Sequence, residues 1–169
     1  MLVLVLATSA SAQRQISFAP FELPESGSIV VPVPAGETPA GLAATLDSDT
    51  GGAIALAMTE AGFKGEKNQT LTLFGVKPYS RIDLIGVGPD PLNRVGAENF
   101  GGIAAGLNDG SSGTEVRVLW SGVDRTDDAS AARVAFGYRL RDYRFDRYFE
   151  DQLDPETLGA VEILSNDNS

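Results

Sequence analysis

The sequence contains neither cysteine nor histidine. Without cysteine there is no disulfide framework, no thiolate ligand for a metal and no thiol nucleophile. Without histidine the chain lacks the commonest general base and the commonest metal ligand, and every Ser-His or Cys-His catalytic arrangement is excluded. An enzyme can still use carboxylates, lysine or tyrosine, but the two absences argue against catalysis by this chain alone.

Positive charge is scarce. The 169 residues include 23 acidic and 13 basic side chains, and the net charge is −10. Six of the acids and none of the bases follow Phe149. Nucleic-acid binding requires a basic surface, and anionic membranes attract clusters of Lys and Arg. The composition therefore predicts neither a nucleic acid nor a membrane surface as a partner.

Long apolar runs are also missing, since a membrane-spanning helix needs about 20 apolar residues and no segment approaches that length. Residues 1–12, MLVLVLATSASA, combine a short apolar run with an Ala-x-Ala pattern that is typical of the end of a secretory signal peptide. The basic start of such a signal is absent, so the chain either begins inside a longer signal or forms a buried first strand. The Ala-x-Ala pattern favours a clipped signal and a periplasmic or secreted protein; the alternative is a cytoplasmic one.

The rest of the sequence alternates between strand and helix patterns. Strands are predicted at 16–18, 28–33, 69–74, 81–87 and 115–120, and helices at 40–46, 53–61, 94–107 and 129–142. This order predicts an α/β fold, a three-layer α/β sandwich with a mixed central sheet flanked by helices. The length suits one domain. The lone Trp120, at the end of a strand, is expected in the core or an interface.

Two helices carry further predictions. The glycines of helix 94–107 cost helix propensity, so we expect them to permit close approach to the sheet. Thr126, Asp127 or Asp128 is expected to cap helix 129–142. The apolar positions of that helix follow the spacing of one buried face. They are Ala131, Val134, Ala135 and Tyr138.

Two glycine-bearing loops could in principle cradle a phosphate. LIGVGPDP, residues 84–91, places Gly-x-Gly between a strand and a helix, but Pro89 and Pro91 remove two N–H donors. GFKGEKN, residues 62–68, lacks the Walker spacing. We interpret the first as a tight strand-to-helix turn and the second as a solvated hairpin-like turn. The carboxylate pairs lie beside turn or cap residues, where Asp has local roles, and predict no metal site.

Three stretches together resemble a known family: AGFKGEKNQTLTLFG, RIDLIGVGPDPLN with VGAENFGGIAAGL, and ARVAFGYRLRDYRFDRY. They are similar to the N-terminal domain of leucyl aminopeptidases of the M17 family, which are two-domain, metal-dependent exopeptidases. The most specific stretch is YRFDRY, residues 143–148. In the family, an Ala- and Gly-rich helix runs into a similar stretch just before the interdomain connection.

The resemblance implies a macro-domain-like fold over residues 13–149, with residues 150–169 as the acidic start of the interdomain connection. It implies that YRFDRY anchors the domain to its neighbour. The anchor residues would be Tyr143, Arg144, Phe145, Asp146 and Tyr148.

The family's catalytic residues and two metal ions, Mn or Zn, belong to a C-terminal domain with KGITFDSGG-like and NTDAEGR-like stretches. Neither stretch occurs here, so no catalytic, cofactor-binding or metal-binding residue is expected in this chain. The implied partners are the protein's own catalytic domain and further copies in a hexamer. The alternative is a free-standing macro-like module that binds a nucleotide or ADP-ribose; a nucleic-acid-binding regulatory domain is disfavoured by the charge.

Overall fold

The computed structural model describes residues 14–109, 114–142 and 159–166. The strands are β1 Ile16–Pro20, β2 Gly27–Pro34, β3 Thr70–Phe74, β4 Tyr79–Gly88, β5 Val116–Trp120 and β6 Val161–Ser165. The helices are α1 Leu42–Asp49, α2 Ala53–Ala61, α3 Arg94–Leu107 and α4 Ala131–Asp142. These elements follow the order that the sequence predicts, with one additional strand at the end.

The described strands form one six-stranded sheet in the order β1-β6-β5-β2-β4-β3. Strand β3 runs antiparallel to β4, and the other neighbouring pairs are parallel. The predicted mixed sheet is therefore confirmed. Its central strand β2 has six consecutive buried residues, as expected for a parallel strand that is covered on both faces.

Helices cover both faces, which confirms the three-layer sandwich. Helices α3 and α4 pack on the face that carries Val30 and Ile163, and α1 and α2 pack on the face that carries Ile29 and Leu164. Successive strand residues point to opposite faces, so one apolar run supplies both layers. Trp120 lies fully buried in the first layer, as predicted, where its Nε1 donates to the Ala129 carbonyl at 3.1 Å.

Gly101 of α3 allows close contact with α4, whereas the sequence predicts that the glycines of this helix permit close approach to the sheet. A Cβ on Gly101 would overlap the backbone carbonyl of Val134, and a Cβ on Gly137 would overlap that of Glu98. The two helix backbones therefore touch. Helix α4 begins at Ala131, so residues 126–128 lie before its first turn and not at its N-cap.

The last strand corrects a second expectation. The family resemblance implies that residues 150–169 begin an interdomain connection. Val161–Ser165 instead lies inside the sheet as β6 and pairs with both β1 and β5. Only five residues, VEILS, carry the strand, and their signal is weak beside the surrounding acidic residues. The chain that follows Asp142 therefore returns to the same domain at Gly159.

The helix contact yields a test. Replacing Gly137 with Ala should destabilise the domain by about 1–3 kcal/mol, because the added methyl group forces α3 and α4 apart. The control is Gly102→Ala, whose Cβ would lie 3.6 Å from the Gly137 carbonyl oxygen, in ordinary contact. This control should gain up to about 1 kcal/mol of helix propensity. Urea unfolding followed by Trp120 fluorescence measures both; equal effects would contradict the tight helix contact.

Candidate functional site at the two ends of the sheet

The carboxyl ends of β2 and β5 form the place where a domain of this topology would bind a ligand. The two strands are parallel neighbours. The chain leaves β2 toward α1 on one face of the sheet and leaves β5 toward α4 on the other face. In open α/β sheets, a crevice opens between the loops at such a switch point.

In this chain the two loops meet at the switch point. Gly41 and Gly122 both have positive φ angles, 58° and 74°, which glycine adopts without strain. A Cβ on Gly41 would overlap the Gly122 carbonyl oxygen, and one on Gly122 would lie 2.8 Å from Leu42 Cγ. The two loops are therefore in contact at the switch point.

Two N–H groups of the first glycine-bearing stretch, LIGVGPDP, donate to carbonyl groups of residues 65–69 and are not free to bind a phosphate. The N–H of Gly88 donates to the Gly65 carbonyl at 3.0 Å, and the N–H of Gly86 donates to the Gln69 carbonyl at 2.7 Å. LIGVG, residues 84–88, is the end of β4, so the predicted strand-to-helix turn is shorter and covers residues 89–93. GFKGEKN is a turn as well, but it is less solvated than predicted: Phe63 is buried, and Gly65 lies against the end of β2 at Pro34.

The amino ends of the strands carry a buried arginine. Arg14, two residues before β1, is only 3% exposed. Its backbone N–H donates to Asp142 Oδ2 at 3.1 Å, and its Nε lies 3.8 Å from Asp142 Oδ1. Its Nη2 donates to the Asn108 carbonyl at 2.7 Å and its Nη1 to the Gly159 carbonyl at 3.4 Å. The residue thus joins the ends of α3 and α4 to the start of β6.

Tyr138 lies in the same polar region. Burial raises the pKa of Tyr138 to about 12; the charge of Arg14 lowers this pKa, and those of Asp142 and Asp109 raise it. Within the part of the chain that the structure describes, the Tyr138 hydroxyl and Asn108 Oδ1 are buried without a hydrogen-bond partner. The neutral phenol is therefore strongly favoured in the folded state.

A second buried ion pair lies nearby at the start of β4. Asp83 is 1% exposed and lies 3.0 Å from Arg81 Nε. Burial raises the pKa of Asp83, while the Thr72 hydroxyl and the Arg81 charge oppose the rise. Arg81 Nη2 also donates to the Leu107 carbonyl at 2.7 Å. Both ion pairs therefore tie a helix end to the amino ends of the strands, which is a structural role.

The predicted anchor residues Tyr143, Arg144, Phe145, Asp146 and Tyr148 lie outside the described residues, and so do residues 1–12 of the predicted signal. The structure does describe the two residues that flank residues 143–158, the segment that contains the anchor residues. Asp142 precedes residues 143–158 and Gly159 follows them, and Arg14 contacts both.

Sequence reasoning missed Arg14. A lone arginine before a short strand is normally exposed. Its partners lie 94 to 145 residues away along the chain, so no local pattern reveals them.

A metal site requires several ligand side chains close together. Among residues 14–109, 114–142 and 159–166, no group of three or more His, Cys, Asp or Glu side chains is arranged to hold a metal ion. The buried carboxylates at the amino end pair with arginines instead. No helix in these ranges is long and apolar enough to cross a membrane.

The unpartnered hydroxyl gives a test. Tyr138→Phe should be neutral or stabilising at neutral pH, because it removes a buried group that makes no hydrogen bond. Tyr79→Phe is the matched control: its hydroxyl donates to the Pro24 carbonyl at 2.9 Å, and its loss should cost about 1 kcal/mol. Urea unfolding at pH 7 compares the two; a clear loss of stability in Tyr138→Phe would contradict the assignment.

The raised pKa of Tyr138 adds a pH dependence with a defined sign. The folded state keeps the phenol proton to a pKa of about 12, whereas the ordinary value is 10.0. The unfolded state loses this proton above pH 10 and the folded state keeps it up to about pH 12. The free energy of unfolding is therefore unaffected below pH 10 and falls as the pH rises from 10 to 12. Relative to Tyr138→Phe, the native chain should lose about 2–3 kcal/mol across this window. Parallel curves for the two proteins would contradict it.

Comparison with known proteins places this fold. Residues 30–152 match the family model "Cytosol aminopeptidase family, N-terminal domain". A probable cytosol aminopeptidase of Caulobacter vibrioides is 36% identical over 107 residues, which are 59% of this chain and 20% of that protein. One from Rhodopseudomonas palustris is 32% identical over 156 residues, 86% of this chain and 30% of that protein.

Solved structures agree on the fold. A mutant of tomato leucine aminopeptidase superposes with a TM-score of 0.73 at 21% identity, over 96% of this chain and 34% of that one. The macrodomain of Mycobacterium tuberculosis DarG superposes with a TM-score of 0.57 at 13% identity, over 89% and 98%. The chain thus spans between a fifth and about a third of the aminopeptidases that it matches. It belongs to the cytosol aminopeptidase family, of which it is an N-terminal domain.

Proposed function

We propose that this chain is the non-catalytic N-terminal domain of a metal-dependent leucyl aminopeptidase, and that it serves packing against the catalytic domain and assembly of the oligomer. The parent enzyme removes N-terminal residues from peptides with two divalent metal ions, Mn or Zn, held by its catalytic domain. Among the residues that the structure describes, the carboxylates Asp142 and Asp83 at the amino end of the sheet pair with arginines.

The observation that carries the proposal is the contact between Gly41 and Gly122 at the switch point. A macro-like domain that acts on its own needs an open crevice at this position. Here the two loops touch at that position, in a chain that covers 20% and 30% of its curated relatives. What remains for such a domain is its outer surface, which suits a role in packing.

The anchor segment is the surface that we assign to this role. Tyr143, Phe145 and Tyr148 combine apolar rings with polar ends, a composition that is typical of interface anchors. Asp142 and Gly159, which flank residues 143–158, lie at the amino end of the sheet, where Arg14 contacts both. The proposed contact of the anchor residues is with the catalytic domain or a second copy in a hexamer.

Ser165, the last residue of β6, lies at the opposite end of the sheet from Gly159. Strand β6 has five residues, so the two ends are separated by roughly 16 Å. We propose two attachments for this reason: a covalent one beyond β6 and a non-covalent one through the anchor segment. Export of the protein, predicted from residues 1–12, remains a proposal of the same kind.

A chimera tests the packing role. This chain replaces the matching part of the Rhodopseudomonas palustris relative, and hydrolysis of leucine p-nitroanilide with Mn²⁺ and oligomeric mass are measured. Phe145→Ala should weaken assembly by about tenfold or more, because truncating an interface anchor usually costs over 1 kcal/mol. The isolated chain should show no turnover. Metal-dependent turnover by the isolated chain would overturn the proposal.

The matched control for this chimera is Phe74→Ala. Phe74 is 73% exposed at the end of β3, the edge strand opposite β1 in the sheet. It should leave assembly unchanged. If Phe145→Ala instead destabilises the isolated chain by about 3–5 kcal/mol, the ring belongs to the core and the anchor role fails.

The second candidate is the macro-like nucleotide module, which the superposition on the DarG macrodomain favours on fold alone. Calorimetric titration of the full chain with ADP-ribose separates the two candidates. We expect no binding up to about 1 mM, a threshold near −4 kcal/mol. A micromolar dissociation constant would show that the loops at Gly41 and Gly122 open, and would favour the module.

A further inference from the structure

Strand β1 is an edge strand that is paired on one side. It lies at the edge of the sheet, and its partner in the sheet is β6. Three of its five residues are exposed, so little apolar burial holds it in place. At its carboxyl end the Phe21 N–H donates to the Ser165 carbonyl at 3.0 Å. At its amino end the Val161 N–H donates to the Gln15 carbonyl at 2.8 Å, and Arg14 contacts Asp142, Asn108 and Gly159.

Arg14 does more than hold β1. One residue contacts the two roots of the segment 143–158, namely Asp142 and Gly159, and also the end of α3 at Asn108. It uses its backbone N–H as well as its guanidinium, so both the position of the chain and the side chain are fixed. The planar fork of arginine suits several acceptors at once, and lysine offers no such fork.

The burial of this contact makes its loss expensive. Arg14 is 3% exposed and the Asp142 side chain is 14% exposed. Removal of the guanidinium leaves the Asp142 carboxylate without this cation and takes a donor from two carbonyl groups in a region that water reaches poorly. Both roots and β1 therefore depend on the same group.

We propose that Arg14 is a latch that couples the attachment of strand β1 to the position of the two roots of the segment 143–158. When β1 is paired with β6, Arg14 fixes Asp142 and Gly159; when β1 detaches, both roots lose that contact together. The inference rests on the proposed function in one respect, since it makes the N-terminal strand a condition for presenting the anchor segment.

Hydrogen exchange measured by mass spectrometry on the full chain tests the latch. In Arg14→Ala, amides of β1 and β6 and those beside Asp142 and Gly159 should exchange about tenfold faster or more, while β2 and β4 keep their protection. Arg14→Lys should show the same pattern at smaller size. If Arg14→Ala does not fold, the lysine variant decides the question.

Arg117→Ala is the matched control. Arg117 lies at the amino end of the neighbouring strand β5, is 32% exposed and pairs with Glu115 at 3.1 Å and Glu162 at 3.5 Å. Such surface pairs contribute little, so its exchange pattern should match that of the native chain. The latch is overturned if β1 alone responds to the Arg14 variants, if the roots alone respond, or if Arg117→Ala gives the same response.

The exchange experiment separates the latch from the proposed function. It uses no catalytic domain, so coupled exchange supports the latch even if the Phe145 variant assembles normally in the chimera. Uncoupled exchange overturns the latch and leaves the packing role to the chimera. If both hold, Arg14→Lys in the chimera should weaken assembly without any change at residues 143–148.

Discussion

Direct contact between backbones is the constraint on which this structure depends. At Gly101 and Gly137, α3 and α4 approach so closely that neither position has room for a methyl group. The pair of helices can then cover one face of the sheet as a single layer, with Phe100 and Trp120 packed beneath it at a ring separation of 5.1 Å. Larger residues at the contact would raise α4 from the sheet and expose that layer.

A second backbone contact lies where a ligand crevice would open in a sheet of this topology. At the carboxyl ends of β2 and β5, Gly41 and Gly122 bring two loops together where the topology would otherwise leave a gap. A shared fold therefore does not imply a shared ligand site. The chain shares its architecture with a DarG macrodomain, yet two loops touch at the switch point of its sheet. The likeness in fold alone carries no activity.

The sequence predicts what depends on local patterns and fails where distant residues meet. The strand pattern of β2 and the buried face of α4 are local, and the structure has them as a strand and a helix face. Strand β6 escaped prediction because its five residues lie in acidic surroundings and its stability comes from pairing with β1 and β5. The family resemblance identified the domain but could not reveal the return of the chain to the sheet.

The candidate site shows the same limit more sharply. YRFDRY was recognised as a pattern, but Arg14, which the structure places at the roots of that segment, matches no pattern at all. A buried arginine is tolerated only where its partners already exist, and here they come from the ends of two helices and the start of a strand. Because these partners converge only in the folded domain, the amino end of the sheet becomes one mechanical unit. By the proposed latch, a change at the N-terminal strand reaches Asp142 and Gly159 together.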